Sequence, residues 1–387
     1  EGDVPGYVLS FAVDPEETRL QFLGTEYGLY VSIDAGENWT KWTHGYPTVP
    51  TMDLVIHPRE YDLVIGTFGR SAYVLDDIRP LRALAREGEE VWKAVIHPLE
   101  APVAYLAARK NAPGYYFTGD AYYEGENRST GARLSYFVQL EEAEPTKKDT
   151  LTIEVRDKDM KLLRTLKRVP EHGLNRSVWY LDRKGVRLNF NKAKRSAPTR
   201  EPGGGGSVLP GVYTLELAFR GDTATTQVRV EPDPRIAYDF EGMKDKEKRT
   251  DELLAKLEEL NQAMDQLRSC HETFDLLKKL VDKEDSDDFK ESSESMKKEL
   301  DRISKSVFRN ESVQGIYYPS DALSVRMSGT YSITGASSPL TANQLQNYEQ
   351  YMMLADETLE TISSFIENEW QEFRDFVNKM DVPLFQN

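Results

Sequence analysis

Val8–Trp39 reads VLSFAVDPEETRLQFLGTEYGLYVSIDAGENW, and Met52–Ile78 reads MDLVIHPREYDLVIGTFGRSAYVLDDI. Laid over one another, Val13-Asp14-Pro15 meets Ile56-His57-Pro58, Gly24-Thr25 meets Gly66-Thr67, and Tyr30 meets Tyr73. The two copies lie about 43 residues apart, the period of one β-propeller blade. Within each copy, short β-rich runs are broken by Pro, Gly and Asn turns, which predicts three or four antiparallel strands. Two blades cannot close a ring, and an open blade edge exposes unpaired backbone groups. The expectation is therefore that residues 1–82 are the last two blades of a wheel whose other blades precede Glu1, the chain being a mature product or a fragment.

Beyond the blades, residues 83–94 read as a linker helix. LSYFVQL, LTIEVRD, MKLLRTL, SVWYLD, GVYTLELAF and TTQVRVEP then follow between Leu134 and Pro232 at the spacing of a β-sandwich. A seven-strand immunoglobulin-like domain over residues 95–234 is the expected reading, with Lys192–Ser207 as a glycine-rich loop. After Pro234 the period changes. Leu253, Leu257, Leu260, Met264 and Leu267 recur at three- and four-residue steps, as do Leu345, Tyr348, Met352, Leu359 and Ile362. Residues 240–387 are thus expected to form an antiparallel three-helix bundle, with helices near 244–282, 289–308 and 341–380. The fold class is multidomain, β plus α.

Ser32-Ile33-Asp34-Ala35-Gly36-Glu37-Asn38-Trp39 fits the pattern S-x-D-x-G-x-x-W. Asp34 is placed to accept turn amides, Gly36 to take a positive φ, and Trp39 to pack on the neighbouring sheet, so the roles of Ser32, Asp34, Gly36 and Trp39 are structural. This motif, together with Gly66-Thr67-Phe68-Gly69-Arg70, Leu75-Asp76-Asp77-Ile78, Gly173-Leu174-Asn175-Arg176, Leu209-Pro210-Gly211-Val212-Tyr213 and Asp233-Pro234-Arg235, resembles the C-terminal part of bacterial sortilin-like or neuraminidase-repeat (Asp-box) propeller proteins. Proteins of this kind are often labelled glycosyl hydrolases. Where that family often carries an Asn-Pro-Pro turn followed by Gly, this chain has Asn127-Arg128-Ser129-Thr130-Gly131. The resemblance implies a secreted or cell-envelope location, periplasmic or associated with the outer membrane.

Composition narrows the chemistry. In 387 residues, 49 Lys and Arg stand against 65 Asp and Glu, a formal charge of −16, which argues against a nucleic-acid partner. One cysteine, Cys270, excludes a disulfide framework and a Cys-based zinc site. No apolar run approaches the length of a membrane span. The five histidines form no H-E-x-x-H pair, no phosphate-binding loop is present, and DKEDSDD at 282–288 lacks the central Gly and terminal Glu of a calcium loop, so no metal or cofactor is expected.

Glycoside cleavage needs two carboxyl groups in a fixed geometry, and Asp76, Asp77, Asp120 and Glu124 have no context that singles them out. One cluster suits sugar stacking or a domain interface: Tyr115, Tyr116, Phe117, Tyr122 and Tyr123. The expected function is non-catalytic binding or assembly, with the upstream blades as partner and a glycan or peptide as ligand. Two alternatives stay open, a glycosidase whose active site lies in upstream blades and a peptide-binding propeller of the sortilin type.

Overall fold

Two X-Pro turns set the strand breaks at the start of the chain, and they are built alike in the computed structural model, which describes residues 4–106, 130–140, 149–187, 201–202, 204–281, 287–308 and 322–380. Asp14 Oδ1 accepts from the amides of Glu16 (3.0 Å) and Glu17 (2.8 Å). His57 Nδ1 accepts from the amides of Arg59 (3.3 Å) and Glu60 (3.1 Å). Each side chain satisfies the amides two and three residues on, which turns the chain back into the next strand.

The first turn joins β1 (Val8–Val13) to β2 (Gln21–Thr25), which continue with β3 (Gly28–Ser32) and β4 (Thr40–Lys41) as a sheet in sequential order. The second joins β5 (Thr51–Ile56) to β6 (Leu63–Thr67), with β7 (Ala72–Leu75) completing a three-stranded sheet. Phe22, Leu29 and Val31 from one sheet and Leu54, Leu63 and Ile65 from the other form one core. Ser10 Oγ donates to the Thr51 carbonyl at 3.0 Å, and a Cβ on Gly24 would come within 2.6 Å of that oxygen, so glycine permits the close approach.

Helix α1 (Arg79–Glu87) opens with Pro80, whose fixed φ suits the first turn, and places Ile78 and Ala85 against this core. Its Arg82, 4% exposed, sends Nε and Nη2 to Asp14 Oδ2 at 2.9 and 2.8 Å and Nη1 to Glu16 at 2.8 Å, and lies 4.4 Å from the Tyr61 ring centroid. A 3₁₀ turn at Gly88–Trp92 follows, and Val91 packs with Leu99 and Phe137 of the next region.

That region holds β8 (Ile96–Pro98), β9 (Ala104–Leu106), β10 (Ala132–Val138), β11 (Leu151–Arg156), β12 (Leu162–Arg168), β13 (Gly173–Trp179), β14 (Gly211–Phe219) and β15 (Asp222–Pro232). Eight strands are present among the described residues, one more than the spacing suggests, because β9 adds in parallel to the end of β15. The sheets run β13-β10-β8 and β12-β11-β14-β15-β9 and share a core around Trp179, which is fully buried. Gly173-Leu174-Asn175-Arg176 is the first half of β13, paired with Val138 through Ser135, and not the corner between sheets that its glycine suggests. Tyr213 donates to the Leu209 carbonyl at 2.6 Å and meets Trp179 edge to face.

The C-terminal part is helical: α2 (Phe240–Val281), α3 (Asp287–Val307), α4 (Leu323–Tyr331), α5 (Ala342–Glu367) and α6 (Glu369–Asn378). Five α-helices lie among the described residues of this part, where three long ones were expected. The third periodic run breaks at Asn368, whose φ of −108° and ψ of −83° are non-helical, and the crossing before it contains α4. Thr341 and Gln344 form a reciprocal capping box that starts α5. Leu253, Leu257, Leu260, Met264 and Leu267 of α2 line the common core. Among the described residues, no helix is long and apolar enough to cross a membrane.

Arg82→Ala leaves Asp14 buried without its counter-charge, and the expected loss is about 3–5 kcal/mol in the unfolding of the N-terminal region by urea. Arg82→Lys should restore little of it, since one ammonium cannot replace the fork on Asp14 and the link to Glu16 together. Tyr213→Phe should lower the stability of the second region by about 1–3 kcal/mol by leaving the Leu209 carbonyl unmatched.

Candidate functional site

Where the second region meets the helices, the chain leaves a cleft of about 390 Å³. Tyr105 and Leu106 of β9 form one wall, Tyr180 follows β13, and Tyr238 lies in the link from β15 to α2, with Met243 in the first turn of that helix. Gly131 must be glycine here: its φ is +118°, and a Cβ would fall 2.4 Å from the Trp179 carbonyl oxygen. The far wall is Gly335–Ser337, where Lys246, 4% exposed, donates to the Ala336 carbonyl. Burial holds that ammonium down to about 8.

Among the described residues that line the cleft, Asp233 alone carries a formal charge, and Arg235 answers it: Nε reaches Oδ1 at 2.8 Å and Nη2 reaches Oδ2 at 2.5 Å. The Tyr238 hydroxyl oxygen is buried and has no hydrogen-bond partner among the described residues, and burial pushes it up to about 12, so it stays protonated. The result is a tyrosine-walled, electrically closed cavity. Its described walls offer tyrosine rings for contact, and among the described residues they present no pair of carboxyl groups for acid and base work.

A second cleft of about 390 Å³ lies between the small N-terminal sheets and the second region and is lined by Arg133, Arg168 and Arg176. These cations serve the fold. Arg176 donates to the carbonyls of Asp76 and Asp77, Arg168 to Ser177 Oγ and the Lys167 and Val178 carbonyls, and Arg133 lies 3.7 Å from Glu60. Arg176 thus reaches main-chain oxygens about a hundred residues earlier in the chain.

Ser32, Asp34 and Gly36 come together in one turn. Ser32 Oγ donates to Asp34 Oδ1 at 2.7 Å and accepts from Gly36 N at 2.8 Å, while Asn38 gives its amide to Oδ1 (3.0 Å) and its side chain to Oδ2 (2.7 Å). Gly36 has φ +89°. Trp39 departs from expectation: half-buried, it lies beside Gly36 rather than in the core shared by the two sheets. Tyr115, Tyr116, Phe117, Tyr122 and Tyr123 lie outside the described residues, as do Asp120 and Glu124.

Asp76 is exposed, and Asp77 is buried and held by Arg79 at 2.6 Å. Cys270 is buried, and burial raises its thiol to about 11, which leaves it protonated and unreactive. Among the described residues, no group of three His, Cys, Asp or Glu side chains is placed to hold a metal ion. The sequence reading missed Tyr105, Tyr180 and Tyr238; their one local signal is the Asp233-Pro234-Arg235 turn that precedes Tyr238.

The Asn38 amide, with Ser32 and the Asn38 side chain, lowers the Asp34 carboxyl to about 2. Because the folded value lies below the unfolded one of 3.8, this turn's contribution to stability is complete above about pH 4 and is lost as pH falls towards 2. Carboxyl NMR should place the Asp34 midpoint near 2, and Asp34→Ala should remove that segment of the acid-unfolding curve.

No protein-family model matches the chain. No curated protein matches it either. Among solved structures, the chain aligns with the extracellular domain of a B. thetaiotaomicron protein described once as a one-component system and once as a hybrid two-component system, at 14% and 13% identity and a TM-score of 0.16 in both. Each alignment covers 58% of this chain and 25% of the other, so the chain spans about a quarter of those structures. A likeness at this level does not extend to a shared fold or a shared activity.

Proposed function

We propose that the chain is the non-catalytic C-terminal part of a larger secreted or envelope propeller protein, and that it acts in binding and assembly. In this reading residues 1–82 are two blades, 83–94 the link, 95–234 an immunoglobulin-like sandwich and 240–387 a helical domain. The matching turns at Asp14 and His57 support the blade repeat, and the Tyr213-to-Leu209 bond has the form of the tyrosine corner of such sandwiches.

One observation carries the assembly reading. Val55, Val64 and Val74 stand opposite one another across β5, β6 and β7 on the face turned away from the shared core, and they are 53%, 37% and 55% exposed. On the other sheet Phe11 and Val13 are 53% and 40% exposed. Sheets that are apolar on both faces are sheets that pack on both sides, and here each has cover on one side. Further blades of the same polypeptide supply that cover.

Val64→Arg tests this. In the chain itself the residue faces solvent, and the change should alter stability by no more than about 0.5 kcal/mol. In the longer polypeptide the arginine would be buried against the next sheet, and stability should fall by about 2 kcal/mol or more. Equal melting of variant and parent in both settings would remove the reading.

A further inference from the structure

We infer that the open valine face of β5, β6 and β7 is a docking surface for a second copy of this chain, which seats on it the outer face of its own β1–β4 sheet, so that copies associate head to tail. The pairing rests on the blade reading above and names what this face takes when residues 1–387 stand alone. The two sheets repeat in register as well as in sequence. Ala12, Phe22 and Val31 form one cross-strand row of the first sheet, and Val55, Val64 and Val74 hold the same three places in the second. On the opposite faces the matching rows are Phe11, Leu23 and Tyr30 in the first sheet and Leu54, Ile65 and Tyr73 in the second. Both opening strands also shift register at the same point, between Val8 and Ser10 and between Thr51 and Asp53.

Inside the chain, one face of each kind is already used. Phe22 and Val31 of the first sheet pack with Leu54 and Ile65 of the second in a single core. That contact is heterologous, since it joins two different faces, and it leaves over one face of each kind. The valine row is exposed on the second sheet; on the first, Phe11 and Val13 are exposed, Leu23 is half-buried and Tyr30 is already buried. These two leftover faces are the two halves of the interface that the chain makes within itself. Their sizes compensate, because Val64 is smaller than its counterpart Phe22 while Phe11 is larger than its counterpart Leu54. Gly66 stands where Gly24 permits close approach, so the second sheet keeps that freedom. Asp53 stands where Ser10 donates to Thr51, so this bond is not repeated and the contact between copies is weaker than the one within the chain. A valine row set against its own copy would oppose short side chains to short ones with no ring to fill the gap, which favours the head-to-tail arrangement.

Sedimentation velocity of the chain in about 0.15 M salt, which screens its net charge of −16, tests this. Between about 1 and 300 µM protein the parent should pass from monomer to species larger than a dimer, with a dissociation constant in the micromolar range. Val64→Arg should leave the chain monomeric throughout, and so should Phe11→Arg, each by placing an unpaired charge on a different face. An equimolar mixture of the two should give a dimer and nothing larger, because each variant keeps the face that the other has lost. At the dilute end both should melt like the parent. Val74→Lys and Val13→Lys, at exposed positions on the same two faces, replace either variant that does not. A parent that stays monomeric, association that survives Val64→Arg or Phe11→Arg, or a mixture that remains monomeric overturns the pairing. The blade reading is decided separately, by Val64→Arg in the longer polypeptide.

Discussion

Guanidinium groups that reach across long stretches of chain hold this protein's parts in register. Arg82 joins α1 to the first turn through Asp14 and Glu16, Arg176 joins β13 to the exit of the second sheet, and Arg183 joins the second region to α2 through Glu247 and Asp251. Each junction brings polar main chain or carboxylates together, and a planar fork of five donors satisfies several acceptors at once. With Cys270 as its single cysteine, the chain has no disulfide to do the same work.

This division of labour explains which clefts are free to bind. At the junction of the small sheets with the second region, Arg168 and Arg176 donate to the protein's own carbonyls and hydroxyl, so the cleft they line is part of the joint. At the opposite junction Arg183 and Lys246 make the structural contacts from behind the wall, and the cleft surface itself is left to tyrosines. The protein thus presents two different surfaces, an apolar sheet face near the N-terminus and a tyrosine-lined cavity whose one charged group among the described residues is paired with Arg235.

Much of the architecture was legible because it is local. The repeat of Asp14-Pro15 by His57-Pro58 marks equivalent turns, and the geometry agrees down to the amides that each side chain accepts. Asp34 and Gly36 act within five residues of one another, so their pattern carries its own structure. The helical period over Leu253–Leu267 gave the buried face of α2 correctly. Trp39 was misjudged because a ring's neighbours are set by other segments. Gly173, by contrast, takes a φ of +97° at the first position of β13, where it pairs with Val138.

By itself, then, the sequence determined strand and helix type, the placing of the helices after the sheets, the turn chemistry and the absence of cysteine cross-links, because these follow from residue type and from spacing within one element. Tertiary structure decided the rest. Tyr105, Tyr180 and Tyr238 are separated by more than fifty residues at each step, and nothing in their local context distinguishes them until β9 adds beside β15 and α2 closes the cavity. Arg82 and Asp14 likewise differ from other charged residues only once burial removes the water around them. Convergence of distant segments is a property of packing, and packing depends on the whole set of buried surfaces rather than on any one stretch of chain.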